Sequence, residues 1–398
     1  MKARNITGNI VTPYRVISQG TLFLRGDRIE RVCGPGEELP KGECFAFPGH
    51  FLFPGLIDLH IHGVLGEDST DGRADGLEII RSYLMTCGVT TFLPTTMSER
   101  REAVLGAFRT LREVLDSKTK GPRLPGLHLE GPYLSMNRRG AHNPQYLRNP
   151  DWGEIDDFFK EGESLFARMT IAPELPGALE AIDVLTRRGV LISLGHTEAD
   201  YQTSQKAFYR GARLVTHVFN AMDPLHHRQA NFLSFALGFP EIAVELIADG
   251  VHVVREVMQL VLKLKNQDNL VLVSDAVRAA GLGDGDYTLG GQAMKVSGGI
   301  ARIPFTDSLA GSTTSLNQML RGIREAFDVS FPDLARMGSL VPARLLGIDD
   351  RFGGLERGKV ADIAVFDKDF HCQAVFLGGE PLYLRSNTDS RVPSEKNR

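Results

Sequence analysis

The sequence predicts an α/β protein, a TIM-like (β/α)8 barrel with a small β domain formed by both termini. Short apolar runs alternate with helical patterns through the middle of the chain, which is typical of repeated βα units. Strand-like segments broken by Gly and Pro occupy both flanks. Histidines and carboxylates follow the predicted barrel strands. We therefore predict a small domain from residues 1–49 and 356–398, and a catalytic barrel from 50–355.

Composition fits an ordinary globular enzyme. The chain has 398 residues, 42% of them hydrophobic and 24% charged, which is enough for a large barrel and a smaller domain. A net charge of −4 gives no reason to expect nucleic acid or an anionic membrane as a partner. Four scattered cysteines indicate free thiols. With no signal-peptide pattern and no apolar run of about 20 residues, we expect a cytoplasmic protein.

The predicted elements follow this frame in order. Strand-like runs at 20–25 and 27–32 begin the small domain. Helices are predicted between the barrel strands, and two more at 312–328 and 332–346 follow a Gly-rich hairpin around 290–303. The barrel strands are predicted near residues 51–60, 89–95, 124–130, 169–174, 190–196, 214–219, 243–249 and 269–275. In such a barrel the active site lies at the C-terminal strand ends.

Those strand ends carry imidazole and carboxylate groups. His60 and His62 close an apolar strand, and side chains two apart on a strand point to the same face. Both rings can therefore converge on one metal ion. Further strand ends supply Glu130, His196, His217, His252 and Asp275. Such groups are the usual ligands of zinc or iron, and catalytic sites keep one position open for water.

Several of these residues have a second interpretation. Asp275 is well placed to take a proton from water bound to a metal, although it could instead cap a helix. Asp249 indicates a turn. His128 is expected to be a core histidine, and Glu174 has no assigned role.

Two basic loops suggest an anion site. The segment His226-His227-Arg228 could grip a phosphate or form an exposed polar loop, and residues 138–142 add a second basic loop at the mouth. No G-x-G-x-x-G in a strand–helix context, P-loop motif or G-x-S-x-G is present, which disfavours dinucleotide binding, P-loop chemistry and a serine hydrolase.

The motifs closely resemble the N-acetylglucosamine-6-phosphate deacetylase family of the amidohydrolase superfamily. His-Leu-Glu-Gly-Pro at 128–132 and Thr-His-x-x-Asn-Ala-Met at 216–222 are specific to this branch. The match covers about residues 50–365, and the flanks resemble the family's small β-sandwich. The resemblance implies metal-dependent hydrolysis of the acetamide of N-acetyl-D-glucosamine 6-phosphate to D-glucosamine 6-phosphate and acetate. Other matching segments are 54–63, 195–197, 248–252, 273–276 and 309–312.

The resemblance also implies roles for individual residues. Glu130, His196 and His217 are expected to hold one divalent metal ion. His60 and His62 match a pair that holds a second ion, bridged by Glu130, in some members. Zinc or iron is expected, and the same ligands accept manganese or cobalt. Asp275 matches the general acid/base. Substrate contacts are expected from His142 and His252 for the acetamide and sugar, and from Asn220, Ala221 and Arg228 for the phosphate side.

The resemblance implies a homodimer whose partner subunit helps complete the phosphate site, but one loop departs from the family pattern. Members usually have Glu-Pro-Gly after the arginine, whereas this chain has Gln229-Ala230-Asn231 after Arg228. Loss of Pro and Gly changes the allowed backbone conformations. A galactosamine 6-phosphate or an unphosphorylated sugar therefore stays open as the substrate.

Two other classes remain as alternatives. Another amidohydrolase, such as a hydantoinase, a dihydroorotase or an aminoacylase, shares the scaffold. The first two bridge their metals with a modified lysine, whereas Glu130 stands at that strand end here. A catalytically silent sugar-phosphate-binding protein is disfavoured by the intact ligand set together with Asp275.

Overall fold

The computed structural model describes residues 2–306 and 308–385. The strands are β1 (Ala3–Val11), β2 (Val16–Arg25), β3 (Arg28–Cys33), β4 (Glu43–Pro54), β5 (Leu56–Ile61), β6 (Gly63–Val64), β7 (Glu67–Asp68), β8 (Val89–Thr96), β9 (Leu127–Glu130), β10 (Phe166–Ile171), β11 (Leu191–Leu194), β12 (Leu214–Val215), β13 (Ala243–Leu246), β14 (Leu270–Leu272), β15 (Gly285–Leu289), β16 (Gln292–Ser297), β17 (Ile300–Arg302), β18 (Ile363–Phe366), β19 (Cys372–Leu377) and β20 (Glu380–Leu384).

Helices connect most of these strands. They are α1 (Ala74–Thr86), α2 (Arg101–Asp116), α3 (Trp152–Gly162), α4 (Ala178–Arg187), α5 (Tyr201–Tyr209), α6 (Phe232–Gly238), α7 (Arg255–Leu264), α8 (Leu316–Phe327), α9 (Phe331–Ala335) and α10 (Val341–Leu345). A π-helical turn at Arg336–Leu340 joins α9 to α10. Within the described residues, no helix is both long and apolar enough to cross a membrane.

The barrel is a parallel sheet of eight strands in the order β14-β13-β12-β11-β10-β9-β8-β5. Its two end strands meet at the C-terminal rim. There the backbone N–H of Asp275 donates to the oxygen of His60 at 2.9 Å, and the N–H of His62 donates to the oxygen of Ala276 at 2.9 Å. The predicted fold class, a (β/α)8 barrel with a β domain from both termini, is confirmed.

Two predicted barrel strands differ in detail. The apolar run predicted as one strand at 51–60 is two strands, because Gly55 separates β4 from β5. A Cβ at Gly55 would overlap the side chain of Thr90, so the chain crosses closely from one sheet to the other there. The strand predicted at 214–219 ends after Val215, since His217 adopts a positive φ of 28°.

The terminal sheet has seven strands in the order β20-β19-β18-β4-β1-β2-β3. Strand β4 joins the two ends of the chain, because it pairs parallel to β1 and antiparallel to β18. The sheet buries its own apolar cluster, which includes Ile6, Leu22, Phe45, Ile363 and Phe376. Residues 386–398 of the predicted small domain lie outside the described residues.

A third sheet of three antiparallel strands, β15 to β17, forms from the predicted Gly-rich hairpin. It packs Met294 and Val296 against Met97, Ala141 and Val277, which lie beside the barrel rim. This small sheet therefore forms one wall at the C-terminal mouth of the barrel.

Candidate active site

A cavity of about 370 Å³ opens at the C-terminal ends of the barrel strands. His60 is fully buried beside it. Arg228 is exposed on its loop and is not among the residues that line the cavity. The other predicted site residues line it together, namely His62, Glu130, His142, His196, His217, Asn220, Ala221, His252 and Asp275.

Glu130 stands at the centre of the histidines. It is the last residue of β9 and is 3% exposed. Its Oε1 lies 3.0 Å from Nε2 of His217 and 3.2 Å from Nε2 of His196. The Nε2 atoms of His196 and His217 are themselves 3.0 Å apart. These three side chains thus point one carboxylate oxygen and two ring nitrogens at a common position.

A second group lies on the other side of Glu130. Nε2 of His62 is 3.2 Å from Glu130 Oε2, and Nε2 of His60 is 3.4 Å from Glu130 Oε1. The two Nε2 atoms of His60 and His62 are 3.3 Å apart. Asp275 Oδ1 faces both, at 3.4 Å from His60 and 3.3 Å from His62. One carboxylate, Glu130, therefore reaches both groups.

Asp275 does not begin a helix. The following residue, Ala276, makes bridges to Ile61 on one side and to Ser312 on the other. The backbone N–H of Asp275 donates to the oxygen of His60, and its carbonyl accepts from the N–H of Ser312. The side chain of Asp275 points at His60 and His62. The interpretation of Asp275 as a helix cap is therefore wrong, because no helix begins after it.

Hydrogen bonds at Nδ1 fix which ring nitrogen carries a lone pair. Nδ1 of His196 donates to the carbonyl oxygen of Arg138 at 2.8 Å, because a carbonyl can only accept. Nδ1 of His60 lies 3.3 Å from a carboxylate oxygen of Glu245 and donates in the same way. In their neutral forms both rings thus present an Nε2 lone pair to the site, as a metal ligand must.

His142 has the opposite tautomer. The backbone N–H of Ser98 donates to its Nδ1 at 3.1 Å, so the neutral ring carries its proton on Nε2. That Nε2–H donates to Glu130 Oε2 at 3.2 Å. His142 is close enough to Glu130 and His196 to form a candidate metal-binding group with them. Its tautomer nevertheless makes it a hydrogen-bond donor rather than a ligand.

The donor set fits a divalent metal ion. Ligands at about 2.1 Å from a tetrahedral ion lie about 3.4 Å apart, close to the separations between the nitrogen and oxygen atoms of these two groups. Two Nε2 lone pairs directed at one carboxylate oxygen repel each other unless a cation or proton lies between them. The candidate ligands are His60, His62, Glu130, His196 and His217, with Asp275 beside the first two.

The pKa values of the buried groups also indicate that the site favours positive charge between its carboxylates. Burial lowers the pKa of His62, but hydrogen bonds to Asp275 and Glu130 outweigh burial and raise it to about 9. Burial raises the pKa of Asp275, but the charge of His60 and the hydrogen bond from His62 bring it down to about 2. Burial lowers the pKa of His142 to about 4, which keeps that ring neutral. Positive charge between the carboxylates is thus favoured, whether protons or a metal ion supply it.

Local backbone strain turns the strand ends inward. His196, His217 and Asp275 have positive φ values of 48°, 28° and 44°, a region that L-residues rarely adopt. Ala221, on the cavity wall, also has a positive φ of 52°. Such strain persists only where the surrounding structure enforces it, and it clusters at functional sites.

The cavity wall also holds a histidine that a neighbouring carboxylate fixes in place. Nδ1 of His252 lies 2.7 Å from Oδ2 of Asp249, whose Oδ1 accepts the N–H groups of Val251 and His252. Asp249 therefore forms the predicted turn and also orients the His252 ring, a second role that sequence reasoning missed. Asn220, nearby, donates its side-chain amide to the carbonyl oxygen of His217 at 3.3 Å.

Among the described residues that line the cavity, Arg138 is the only arginine, and there is no lysine. Its guanidinium is paired with Asp223, and Glu198 lies 3.8 Å away. The backbone N–H of Glu198 in turn donates to Glu174, which also binds the hydroxyl of Thr197. Glu174 thus supports the loop behind the site, and Arg138 is largely neutralised.

A buried ion pair between Arg168 and Glu245 lies beneath the ligands and was missed by sequence reasoning. Both residues stand inside apolar strands, in Phe166–Ile171 and Ala243–Leu246. A charged residue within such a run was the available signal, because buried charges require partners. His128 is also buried, and its ring binds the hydroxyls of Thr95 and Thr170 instead of the ligand group.

The barrel and its ring of imidazole and carboxylate groups define the class of metal-dependent hydrolases. The model of the amidohydrolase family matches residues 51–382. The chain therefore belongs to the amidohydrolase family, whose members are metal-dependent. Its relatives at 34% identity include deacetylases of amino-sugar phosphates.

Three comparisons describe these relatives. The chain is 34% identical to N-acetylglucosamine-6-phosphate deacetylase of Bacillus subtilis, over 96% of this chain and 97% of that protein. It is also 34% identical to N-acetylgalactosamine-6-phosphate deacetylase of Escherichia coli O157:H7, over 83% and 87%. A solved variant of the Mycobacterium smegmatis N-acetyl-D-glucosamine-6-phosphate deacetylase, in complex with N-acetyl-D-glucosamine 6-phosphate, is similar with a TM-score of 0.90 and 31% identity, over 96% and 99%.

Proposed function

We propose that this protein hydrolyses the acetamide of N-acetyl-D-glucosamine 6-phosphate to D-glucosamine 6-phosphate and acetate. The observation that carries the proposal is the convergence of imidazole Nε2 atoms on Glu130, with Asp275 facing the same cavity. The relatives named above add the substrate class, because they share this fold over most of their length.

The residues divide into two ion positions. Glu130, His196 and His217 would hold one divalent ion, and His60 and His62 a second, with Glu130 shared between them. Zinc and iron suit this mixture of nitrogen and carboxylate ligands, and manganese or cobalt can take their place. A divalent ion bound here supplies an activated water at neutral pH and polarises the amide carbonyl.

Asp275 carries the proton through the reaction. Its carboxylate takes the proton of the attacking water as the new C–O bond forms at the acetamide carbon. It then gives that proton to the amide nitrogen, so the C–N bond breaks and a neutral amine leaves together with acetic acid, which loses its proton to give acetate. Its low pKa keeps the carboxylate ionised, which is the form that can accept a proton. Glu130 is the other carboxylate among the described residues that line the cavity, and it would be occupied as the shared ligand between the two histidine groups.

His142 stabilises the developing oxyanion. Because the N–H of Ser98 fixes its tautomer, His142 carries an Nε2–H at the cavity wall; it donates to Glu130 here and would donate to the acetamide carbonyl oxygen when the substrate binds. A preorganised donor of this kind favours the transition state over the ground state, since negative charge grows on the carbonyl oxygen. On the opposite wall, His252 and the segment at Asn220 and Ala221 would bind the sugar and its phosphate.

A second copy of the chain would complete the phosphate site. Arg138 is already paired with Asp223, and Arg228 is exposed on its loop and is not among the residues that line this chain's cavity. We propose that Arg228 contacts the phosphate bound by a second copy of the chain. Replacing Arg228 by Ala should then raise KM for the phosphorylated sugar more than for the free sugar, and light scattering should show a dimer.

The test of the function is acetate release by purified, metal-loaded protein. N-acetylglucosamine 6-phosphate, its galactosamine epimer and unphosphorylated N-acetylglucosamine should be compared at equal concentration. The proposal predicts the highest kcat/KM for the glucosamine phosphate. No release from any of the three, with metal bound, would contradict the deacetylase function.

The galactosamine phosphate is a specific second candidate. The relative from Escherichia coli O157:H7 that bears this name is as similar in identity as the one from Bacillus subtilis. The loop that departs from the family pattern is held by hydrogen bonds of Asn231. Asn231 caps α6 by accepting the N–H of Ser234 at 3.1 Å, and it donates to the oxygen of Pro224 at 2.7 Å. Preference for the galactosamine phosphate would assign specificity to this loop.

A further inference from the structure

A buried charged layer lies inside the barrel beneath the two candidate ion positions. Arg168 on β10 and Glu245 on β13 form an ion pair, and both side chains are 0% exposed. Arg168 also donates to the carbonyl oxygen of Leu59 at 2.9 Å and to the hydroxyl of Ser193 at 2.8 Å. A third bond reaches the hydroxyl of Thr216 at 3.3 Å. The guanidinium is therefore tied to three other strands and to Thr216, which directly follows β12, and has little freedom to move.

Glu245 extends this layer upward into the site. Its Oε2 lies 3.3 Å from Nδ1 of His60 and 3.2 Å from the backbone nitrogen of His217. His60 belongs to one candidate ion position and His217 to the other. A single carboxylate thus touches both, without lining the cavity or reaching a substrate.

We propose that Glu245, held by Arg168, is the positioning residue that makes His60 a metal ligand; this inference rests on the two-ion site of the proposed function. An ionised carboxylate can only accept, so Nδ1 of His60 must carry the ring proton. The Nε2 lone pair then faces Glu130 and Asp275, each at 3.4 Å. Such support fixes the tautomer and orientation of a histidine ligand and raises its basicity.

The ion pair is poorly explained by stability alone. Buried ion pairs lose solvation, and apolar residues of similar size can often replace them without loss of stability. Beneath His60, however, an apolar side chain would leave Nδ1 without an acceptor. A purely structural role predicts that removing the pair weakens folding and treats both ions alike, whereas the positioning role predicts selective loss of the ion at His60.

Two double variants separate these roles. Arg168→Met with Glu245→Gln removes both charges but keeps a side-chain oxygen that can accept from His60. Arg168→Met with Glu245→Leu removes both charges and the acceptor. Each layer remains neutral, so neither variant leaves an unpaired buried charge. Bound zinc is counted by elemental analysis after dialysis, affinity is measured against a competing chelator, and circular dichroism reports folding.

We expect two zinc ions in the natural protein and in the Gln-containing variant. In the Leu-containing variant, affinity for the ion at His60 should fall about 10- to 100-fold, and affinity for the other ion should fall less, because His217 loses only an acceptor for its backbone N–H. Two ions bound with natural affinity in the Leu-containing variant would overturn the inference. The inference would also be overturned if each variant lost both ions to the same extent, because that result indicates a structural role.

A measurement on the unaltered sequence covers the case in which a variant fails to fold. Nitrogen-15 NMR of histidine-labelled, zinc-loaded protein should show a protonated Nδ1 for His60, assigned by its loss in a His60→Asn variant. A His60 ring protonated at Nε2 would overturn the inference. Acetate release is measured on the same samples. Selective zinc loss without any deacetylation would leave the inference standing and contradict only the proposed function.

Discussion

His142 and His196 lie on either side of the same carboxylate, yet their hydrogen bonds give them opposite capabilities. The carbonyl of Arg138 makes His196 a lone-pair donor, whereas the N–H of Ser98 makes His142 a proton donor. The rings themselves are chemically identical, so their roles come from backbone groups that contact the far ring nitrogen. A histidine near a metal is thus not necessarily a ligand.

This distinction predicts different losses for two alanine variants. His142→Ala should keep its bound metal and lower kcat by about 100- to 1,000-fold, because an oxyanion donor is removed. His196→Ala should lose metal as well as activity. Elemental analysis beside steady-state kinetics checks both. Loss of metal from His142→Ala would show that His142 is a ligand.

Asp249 offers a second test at this scale. Asp249→Asn weakens the hold on the His252 ring, because an amide is a poorer acceptor than a carboxylate. We expect kcat/KM to fall about tenfold, equivalent to about 1.4 kcal/mol, mainly through KM. Asp200→Asn is the control, since Asp200 also accepts an N–H at a turn but caps α5 away from the cavity. A similar change in KM for both variants would exclude a specific role of Asp249.

The arrangement of the barrel strands explains why the sequence could predict which residues lie together at the site. Parallel strands end at one rim, so a histidine or carboxylate that follows an apolar run must lie near the others. This rule correctly brought His60, Glu130, His196, His217 and Asp275 together. It needs only the approximate end of each strand, and so it survived errors in strand length such as that of β12.

Other features depend on contacts that no local pattern encodes. The tautomer of His142 is set by Ser98, which is 44 residues away in the chain. The pair of Arg168 and Glu245 joins two strands that are not neighbours in the sheet. Such features arise from tertiary packing, which overrides local preference.

The segment that follows β17 gives a prediction at the scale of elements. Gly311 has a φ of 68°, and a Cβ there would lie 2.7 Å from the carbonyl oxygen of Asp275. Gly311→Ala should therefore displace Asp275 and lower kcat at least tenfold. Gly291→Ala is the matched control, because Gly291 has a φ of 74° with open space around it. Both should lose about 1–2 kcal/mol of stability from the left-handed backbone, and equal kcat values would contradict the prediction.

For the molecule as a whole, the titratable groups of the buried site make the stability of the fold depend on pH and on metal binding. The pKa of His62 is raised to about 9 on folding in the metal-free protein. A raised pKa adds stability that is complete below the unfolded value of about 6.5 and is lost as pH rises through the folded value. Metal binding has the opposite trend, because the ligands must first lose their protons.

The chelated and zinc-loaded proteins should therefore respond to pH in opposite ways. Between pH 6.5 and 9 the Tm of the chelated protein should fall, while the stabilisation by zinc should grow. Differential scanning fluorimetry across this range, with and without a chelator, measures both. Parallel curves would show that zinc does not bind at the protonated histidines.

The measurement that most directly tests this account compares the natural protein with Asp275→Asn, both loaded with zinc and supplied with N-acetyl-D-glucosamine 6-phosphate. Free acetate is followed by proton NMR, and zinc is counted in the same samples. We expect acetate from the natural protein and a rate about 100- to 10,000-fold lower from the variant with zinc still bound. Equal rates from the two proteins, or no acetate from the natural protein, would contradict it.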